Sequence, residues 1–201
     1  MKEIHLDVRK TATVKIGLGD VILYANDYIL EVLGYNLTEF VTQRPKIICS
    51  TKMPDIIHDS IGEMIKNFEE GIAVLQHKTK NGDYFWAFTH FKPVYKPDGT
   101  FEAFLTRRKP IPSKRTLKDK ESLKEEIEKL YTVLKEIEVH SGLEQAKKYL
   151  DGFLEDKGFE SLKEYYESYF DFDREEIEKY FSIDENTPER VIRKFMEVKY
   201  V

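Results

Sequence analysis

The chain has 201 residues, one cysteine and a formal net charge of −5. A length of this order suits one domain with an appendage, and a lone Cys49 excludes an intrachain disulfide and fits a reducing compartment. The acidic balance argues against nonspecific nucleic-acid binding, which depends on neutralising phosphates. The charge is uneven: +3 over residues 1–115 and −8 over residues 116–201, so the chain reads as two parts with the second acidic. The first residues lack the apolar core of a secretory leader, and no stretch approaches the ~20 apolar residues that span a bilayer. The expectation is a soluble, cytoplasmic protein without a membrane segment.

Thr13 to Gly17 and Val21 to Ala25 read as two short strands, reversed by Leu18-Gly19-Asp20. Asn26-Asp27 then starts a helix carrying Tyr28, Ile29, Val32 and Leu33 at helical spacing, ended by Gly34. Asn36, with Glu39 three residues on, has the form of a capping box for a second short helix that Pro45 stops. After Met53-Pro54, the stripe Ile57, Ile61, Met64, Ile65 and Phe68 predicts a helix over 55–68. Three strands follow at 72–79, 84–95 and 100–107, separated by Asn81-Gly82 and by Lys96-Pro97-Asp98-Gly99. Asn-Gly between β-rich runs is the strongest local hairpin signal, because both turn positions favour positive φ. The middle strand alternates, with Tyr84, Trp86, Phe88 and His90 on one side and Phe85, Ala87, Thr89 and Phe91 on the other. Both sides are largely apolar, so one face lines a core or pocket and the other needs a cover, either a helix or a second subunit.

Pro110-Ile111-Pro112 ends this part, and the rest reads as helical. Over 117–139, Leu123, Leu130 and Ile137 fall seven apart, with Ile127, Val133 and Leu134 on the same side. That stripe suits either a dimerising coiled coil or an amphipathic helix packed on its own domain. Further helices are expected near 142–156, 159–170, 173–182 and 188–198, the last with Thr187 as cap and Pro188 at the first helical position.

The order of elements, with Tyr24-Ala25-Asn26, Leu33-Gly34-Tyr35, Thr38-Glu39-Phe40, Pro45, Met53-Pro54, Lys80-Asn81-Gly82-Asp83 with Trp86, and Pro97-Asp98-Gly99, resembles a PAS domain over about residues 10–110. The spacing is most similar to the PAS domain of bacterial aerotaxis receptors. The resemblance implies an α+β fold, a five-stranded antiparallel sheet with flanking helices (10–112); the all-α extension (113–201) is read from its own helical pattern and resembles no family. The resemblance also implies a sensory role with FAD as the cofactor, haem being the second choice. It places Asn26 near a flavin, and Ile57, Ile61, Trp86, Phe88 and Leu105 around the ligand. The chain departs from the aerotaxis pattern at Ser50-Thr51-Lys52-Met53-Pro54, which is one residue short and lacks the family's Arg and His, and at Gly71, where a tryptophan is expected.

Other chemistry is sparse. Light-sensing PAS domains carry a cysteine that would fall near Pro45; Cys49 comes four residues late and reads as a small buried thiol. His58, His77 and His90 are single histidines without metal-ligand spacing, and each is a haem ligand only if haem is present. His58-Asp59-Ser60 are neighbours on one predicted helix and point apart, so they make no triad. Neither nucleotide-binding glycine pattern is present. A helix-turn-helix over 173–198 would offer Arg190, Arg193 and Lys194 to DNA, but Glu178 falls where tight helix packing wants a small residue, Ser182 where the turn favours glycine, and the tail is net acidic. The sequence therefore reads as a non-enzymatic sensory module that binds a small ligand or flavin. It would form a homodimer and relay its state through the 110–112 hinge to the tail and a partner protein. The alternatives are a ligand-free interaction module and a DNA-binding regulator.

Overall fold

Alternating apolar residues and tight turns build the sheet. In the computed structural model, which describes residues 1–112, 123–170 and 173–196, β1 (Ala12–Gly17) and β2 (Val21–Ala25) form a hairpin. Gly19 and Asp20 both take positive φ at its reversal. Then come α1 (Asp27–Leu33), α2 (Leu37–Phe40), a 3-10 turn at Pro45–Ile48 and α3 (Asp55–Lys66). The meander β3 (Gly71–Lys78), β4 (Tyr84–Tyr95) and β5 (Phe101–Lys109) completes a five-stranded antiparallel sheet of order β2-β1-β5-β4-β3. The expected α+β architecture is the one observed. α3 stops two residues early, because Phe68 turns into the left-handed region with its ring half-exposed.

Local capping explains the helix starts. The Asn26 side chain accepts from the Ile29 and Thr13 amides and donates to the Thr11 carbonyl, so it caps α1 and ties it to β1. Asn36 and Glu39 form the capping box, and Gly34 ends α1 at φ 74°.

The two faces of the sheet have different covers. On the inner face, Ala12, Val14, Phe85 and Ala87 pack with α1 and α2 around Ile29, Leu33 and Phe40. The outer face lies under the tail, made of α4 (Leu123–Ser141), α5 (Leu143–Lys157), α6 (Leu162–Glu167), a 3-10 turn at Ser168–Phe170, α7 (Arg174–Phe181) and α8 (Glu189–Ile192). Of the two readings of the 117–139 stripe, the described part is packed on its own sheet: Leu123, Ile127, Leu130 and Leu134 are buried in one cluster with Val74, Trp86 and Phe88. Residues 117–122 of that expected helix lie outside the described residues, as do 171–172 of the expected turn and 197–198 of the last helix. The expected 159–170 helix begins only at the Ser161 cap and tightens to 3-10 at 168–170. Among the described residues no helix is long and apolar enough to cross a membrane.

Candidate functional site

Period-two alternation in β4 and β5 sends neighbouring side chains to opposite faces of the sheet. On the inner side, a cavity of about 640 Å³ opens between the sheet, the Pro45–Ile48 turn and α3. Its walls are mostly apolar, from Ile16, Ile48, Met53, Ile61, Ile65, Leu75 and Phe91. That volume and lining are typical of small-molecule sites.

The polar groups of the cavity centre on Arg108. It is 3% exposed; its Nε donates to His77 Nε2 at 3.2 Å and its Nη1 to Thr106 Oγ1 at 3.0 Å. The Thr106 hydroxyl in turn donates to the Val14 carbonyl at 2.9 Å. Burial lowers the Arg108 pKa to about 10, so the guanidinium stays charged at neutral pH. Burial, then the Arg108 charge, hold His77 well below the usual histidine range, so it is neutral, and its bond from Arg108 places the ring proton on Nδ1. His58 also borders the cavity and is pushed down by burial. Cys49 lines it as a half-buried thiol donating to the Pro45 carbonyl at 3.6 Å; burial pushes its pKa up, which keeps it protonated and poorly nucleophilic.

On the other side of the sheet, the same two strands hold the tail. Trp86 packs on Tyr131, and Phe88 on Phe170 and Phe181. Tyr131 donates its hydroxyl to the Val74 carbonyl at 2.8 Å. Glu178 of α7 accepts from Lys92 and Arg107, both at 2.8 Å. Burial raises the Glu178 pKa, but those two bonds and charges outweigh it and bring it to about 2. His90 sits between Glu70 (2.7 Å) and Arg107 (2.6 Å). Lys109 is fully buried, its ammonium donating to the carbonyls of Val8 (2.6 Å), Ile183 (2.8 Å) and Lys10 (3.5 Å). The tail also reaches the cavity wall: Glu138 of α4 accepts from the Asp55 and Ile56 amides at 2.9 Å each, capping α3 where Pro54 supplies no side-chain cap.

Of the six residues that the sequence assigns to a ligand, Ile61 lines the cavity, and Ile57 is buried four residues before it on α3. Trp86 and Phe88 face the tail, because the cavity-facing parity of β4 is that of Phe85, Ala87, Thr89 and Phe91. Leu105 shares the parity of Arg107 and Lys109 on β5, on the tail side. Asn26 has both ends of its amide engaged by backbone. Reading the strands left out Arg108, whose signal was available: three consecutive cations, Arg107-Arg108-Lys109, at the end of a buried strand. The helix-turn-helix alternative meets a recognition helix of four residues and a Glu178 turned onto the sheet. Glu70, His90 and Glu178 bring ligand atoms within 4.8 Å of one another, but Lys92 and Arg107 both pair with Glu178, and Glu70 is bonded to His90. That cluster is an ion-pair network.

The five-stranded antiparallel sheet with its flanking helices is the architecture of a PAS fold, and residues 12–106 match the PAS domain family model: this part of the chain is a PAS domain. The chain is 25% identical over 112 residues to the nitrogen fixation regulatory protein of Klebsiella oxytoca, covering 54% of this chain and 23% of that one. It is 26% identical over 91 residues to the aerotaxis receptor of Escherichia coli (strain K12), covering 45% and 18%. The matches thus span less than a quarter of the length of these curated relatives, one a regulator and one a receptor. Among solved structures, the PAS domain of the fruit-fly ELK potassium channel aligns with TM-score 0.47 at 18% identity, over 50% of this chain and 86% of that one. An RNA-binding light-oxygen-voltage receptor aligns at 0.47 and 17%, over 50% and 30%.

Proposed function

We propose that residues 10–112 sense a small ligand in the cavity and that residues 113–201 report its presence. The observation that carries this reading is the alternation along β5. Arg108 turns into the cavity, while Arg107 and Lys109, its two chain neighbours, grip the tail. A shift of a few tenths of an ångström in β5 or α3 on ligand binding is therefore felt at once by Glu178, Ile183 and Glu138. The signal is a change in the population of the docked tail, driven by the difference in ligand affinity between the docked and loosened states. In this reading Ile57 and Ile61 touch the ligand, and Trp86, Phe88 and Leu105 transmit from the sheet to its cover.

The module is not an enzyme; it acts in the cytoplasm, as a homodimer, on a partner protein. Exposed Leu18, Leu23 and Tyr24, at the β1–β2 hairpin on the sheet's free edge, support an association surface. FAD is the weaker occupant. Both ends of the Asn26 amide are engaged by backbone, and Trp86 and Phe88 pack against the tail, which weighs against a flavin held by these residues in this cavity. For haem, the nitrogen donors at the cavity would be His58 and His77.

The test is hydrogen exchange on the full chain with the cavity filled by Ile61→Trp. Altered exchange in α7 and at the start of α3 is expected; unchanged exchange there sinks the relay. An absorption spectrum of the purified protein, showing no flavin or Soret band, is the accompanying expectation.

A further inference from the structure

We infer that the cavity takes an organic carboxylate with an apolar body, its carboxylate seated on the Arg108 guanidinium. The inference rests on the cavity being a ligand site.

Arg108 is the starting point. Buried charges are normally paired, because stripping an ion of water costs several kcal/mol in practice, even after relaxation. Arg108 lies on a central strand with 97% of its surface removed from solvent, and among the described residues no carboxylate pairs with it. Both of its acceptors, the neutral His77 ring and the Thr106 hydroxyl, are uncharged, and among the described residues Nη2 has no acceptor. Directly across the ladder, Thr89 is fully buried and its hydroxyl is also without a partner.

The remaining charges do not compensate. At the cavity, Lys46 and Lys78 stand against Asp20 and Asp55, which cancel; Lys135, which also approaches Asp55 at 3.1 Å, is matched by Glu138 at 3.1 Å. His58 and His77 are both held toward the neutral form. The interior thus carries one unmatched positive charge, which suits a monoanion. A guanidinium with free N–H groups is the side chain best shaped for a carboxylate.

Size sets the rest of the ligand. Water takes about 30 Å³ per molecule in the liquid, so an inorganic anion would leave most of the 640 Å³ vacant. Most of the exposed wall is apolar, with Ile61, Leu75 and Phe91 among its residues. They call for a hydrocarbon or aromatic body.

The experiment uses the full chain and isothermal titration calorimetry with octanoate, the isosteric neutral octanamide, and octyl phosphate. Octanoate is expected to bind at least tenfold more tightly than octanamide, and Arg108→Met to remove that preference. Without ligand, Arg108→Met is expected to melt at or above the wild-type temperature, since it removes an uncompensated buried charge. The inference is overturned if octanamide binds as well as octanoate, if octanoate does not bind, or if octyl phosphate binds more tightly than octanoate. It is also overturned if Arg108→Met melts several degrees lower, which would make the arginine a structural residue. The outcomes separate this inference from the sensor reading. Octanamide that binds equally and alters α7 exchange removes the carboxylate and keeps the sensor. Octanoate that binds through Arg108 without altering the tail keeps the carboxylate and removes the sensor.

Discussion

Lys109→Met tests what holds the tail to the sheet. The ammonium, on β5, reaches two other parts of the chain through carbonyls: Val8 and Lys10 in the segment before β1, and Ile183 in the tail. Two effects oppose each other. Burial disfavours the charge, lowering the lysine pKa to about 8, and the methionine removes that cost while filling similar space. Against this, a buried acceptor left without a donor costs ~1–3 kcal/mol. The Ile183 carbonyl is in a buried bond and bears this in full; the Val8 bond is only partly buried, so water can replace it. The Lys10 contact, at 3.5 Å, is at the limit of a hydrogen bond and counts for little. The net expectation is a loss of ~2 kcal/mol, which at a urea slope of ~2 kcal/mol/M lowers the midpoint by ~1 M. Trp86 is the only tryptophan and packs on Tyr131 at the sheet–tail boundary, so its fluorescence reports unfolding there. A midpoint equal to or above wild type would refute the reasoning: desolvation of the ammonium would then outweigh its bonds.

Glu138→Ala removes the cap that the tail places on α3 and is expected to cost ~1–2 kcal/mol, with faster amide exchange confined at first to residues 55–57; uniform change across the chain would argue against a local cap. Glu178 has a folded pKa near 2, below its unfolded value, so its contribution is present above about pH 4.5 and is lost as pH falls toward 2. With its side chain 38% exposed, a discounted ~1 kcal/mol is expected, seen as a wild-type advantage over Glu178→Gln at pH 5.5 that vanishes near pH 2. His77 and His90 are both depressed, chiefly by burial and then by Arg108 and Arg107 respectively. The unfolded chain takes up their protons first, so stability should decline as pH falls below about 6.5, and His77→Gln should flatten that slope in urea midpoints measured at pH 7.5 and 5.5. Asn26→Ala should cost ~1–2 kcal/mol in stability through the lost cap and strand bonds, yet leave octanoate binding unchanged; altered binding would put Asn26 back at the ligand.

Much of the fold was legible because its signals are local. Asn81-Gly82 and Pro97-Asp98-Gly99 mark the meander, and Asn26, Asn36 and Gly34 mark helix ends, each through chemistry confined to a few residues. The alternation of β4 also gave the correct partition of its side chains. It could not say which side held the cavity, since Trp86, Phe88, Phe85 and Phe91 are all large and apolar; that is decided by helices distant in sequence. The stripe on α4 likewise showed a helix with a buried face, but any apolar surface would have satisfied it. Arg108 escaped for a different reason: in the run Arg107-Arg108-Lys109 all three residues look alike, and only the register of β5 separates one from its neighbours.

The tail's cover of the outer face also sets the terms on which anything else can reach that face. A partner must displace a competitor attached to the same chain, and a tethered segment acts at an effective concentration on the order of millimolar. A partner of equal intrinsic affinity at micromolar concentration would then lose about a thousandfold in the contest. Modest loosening of Glu178, Lys109 and Glu138 changes that ratio directly, so under the proposed relay small effects inside the cavity would become large changes in who occupies the sheet.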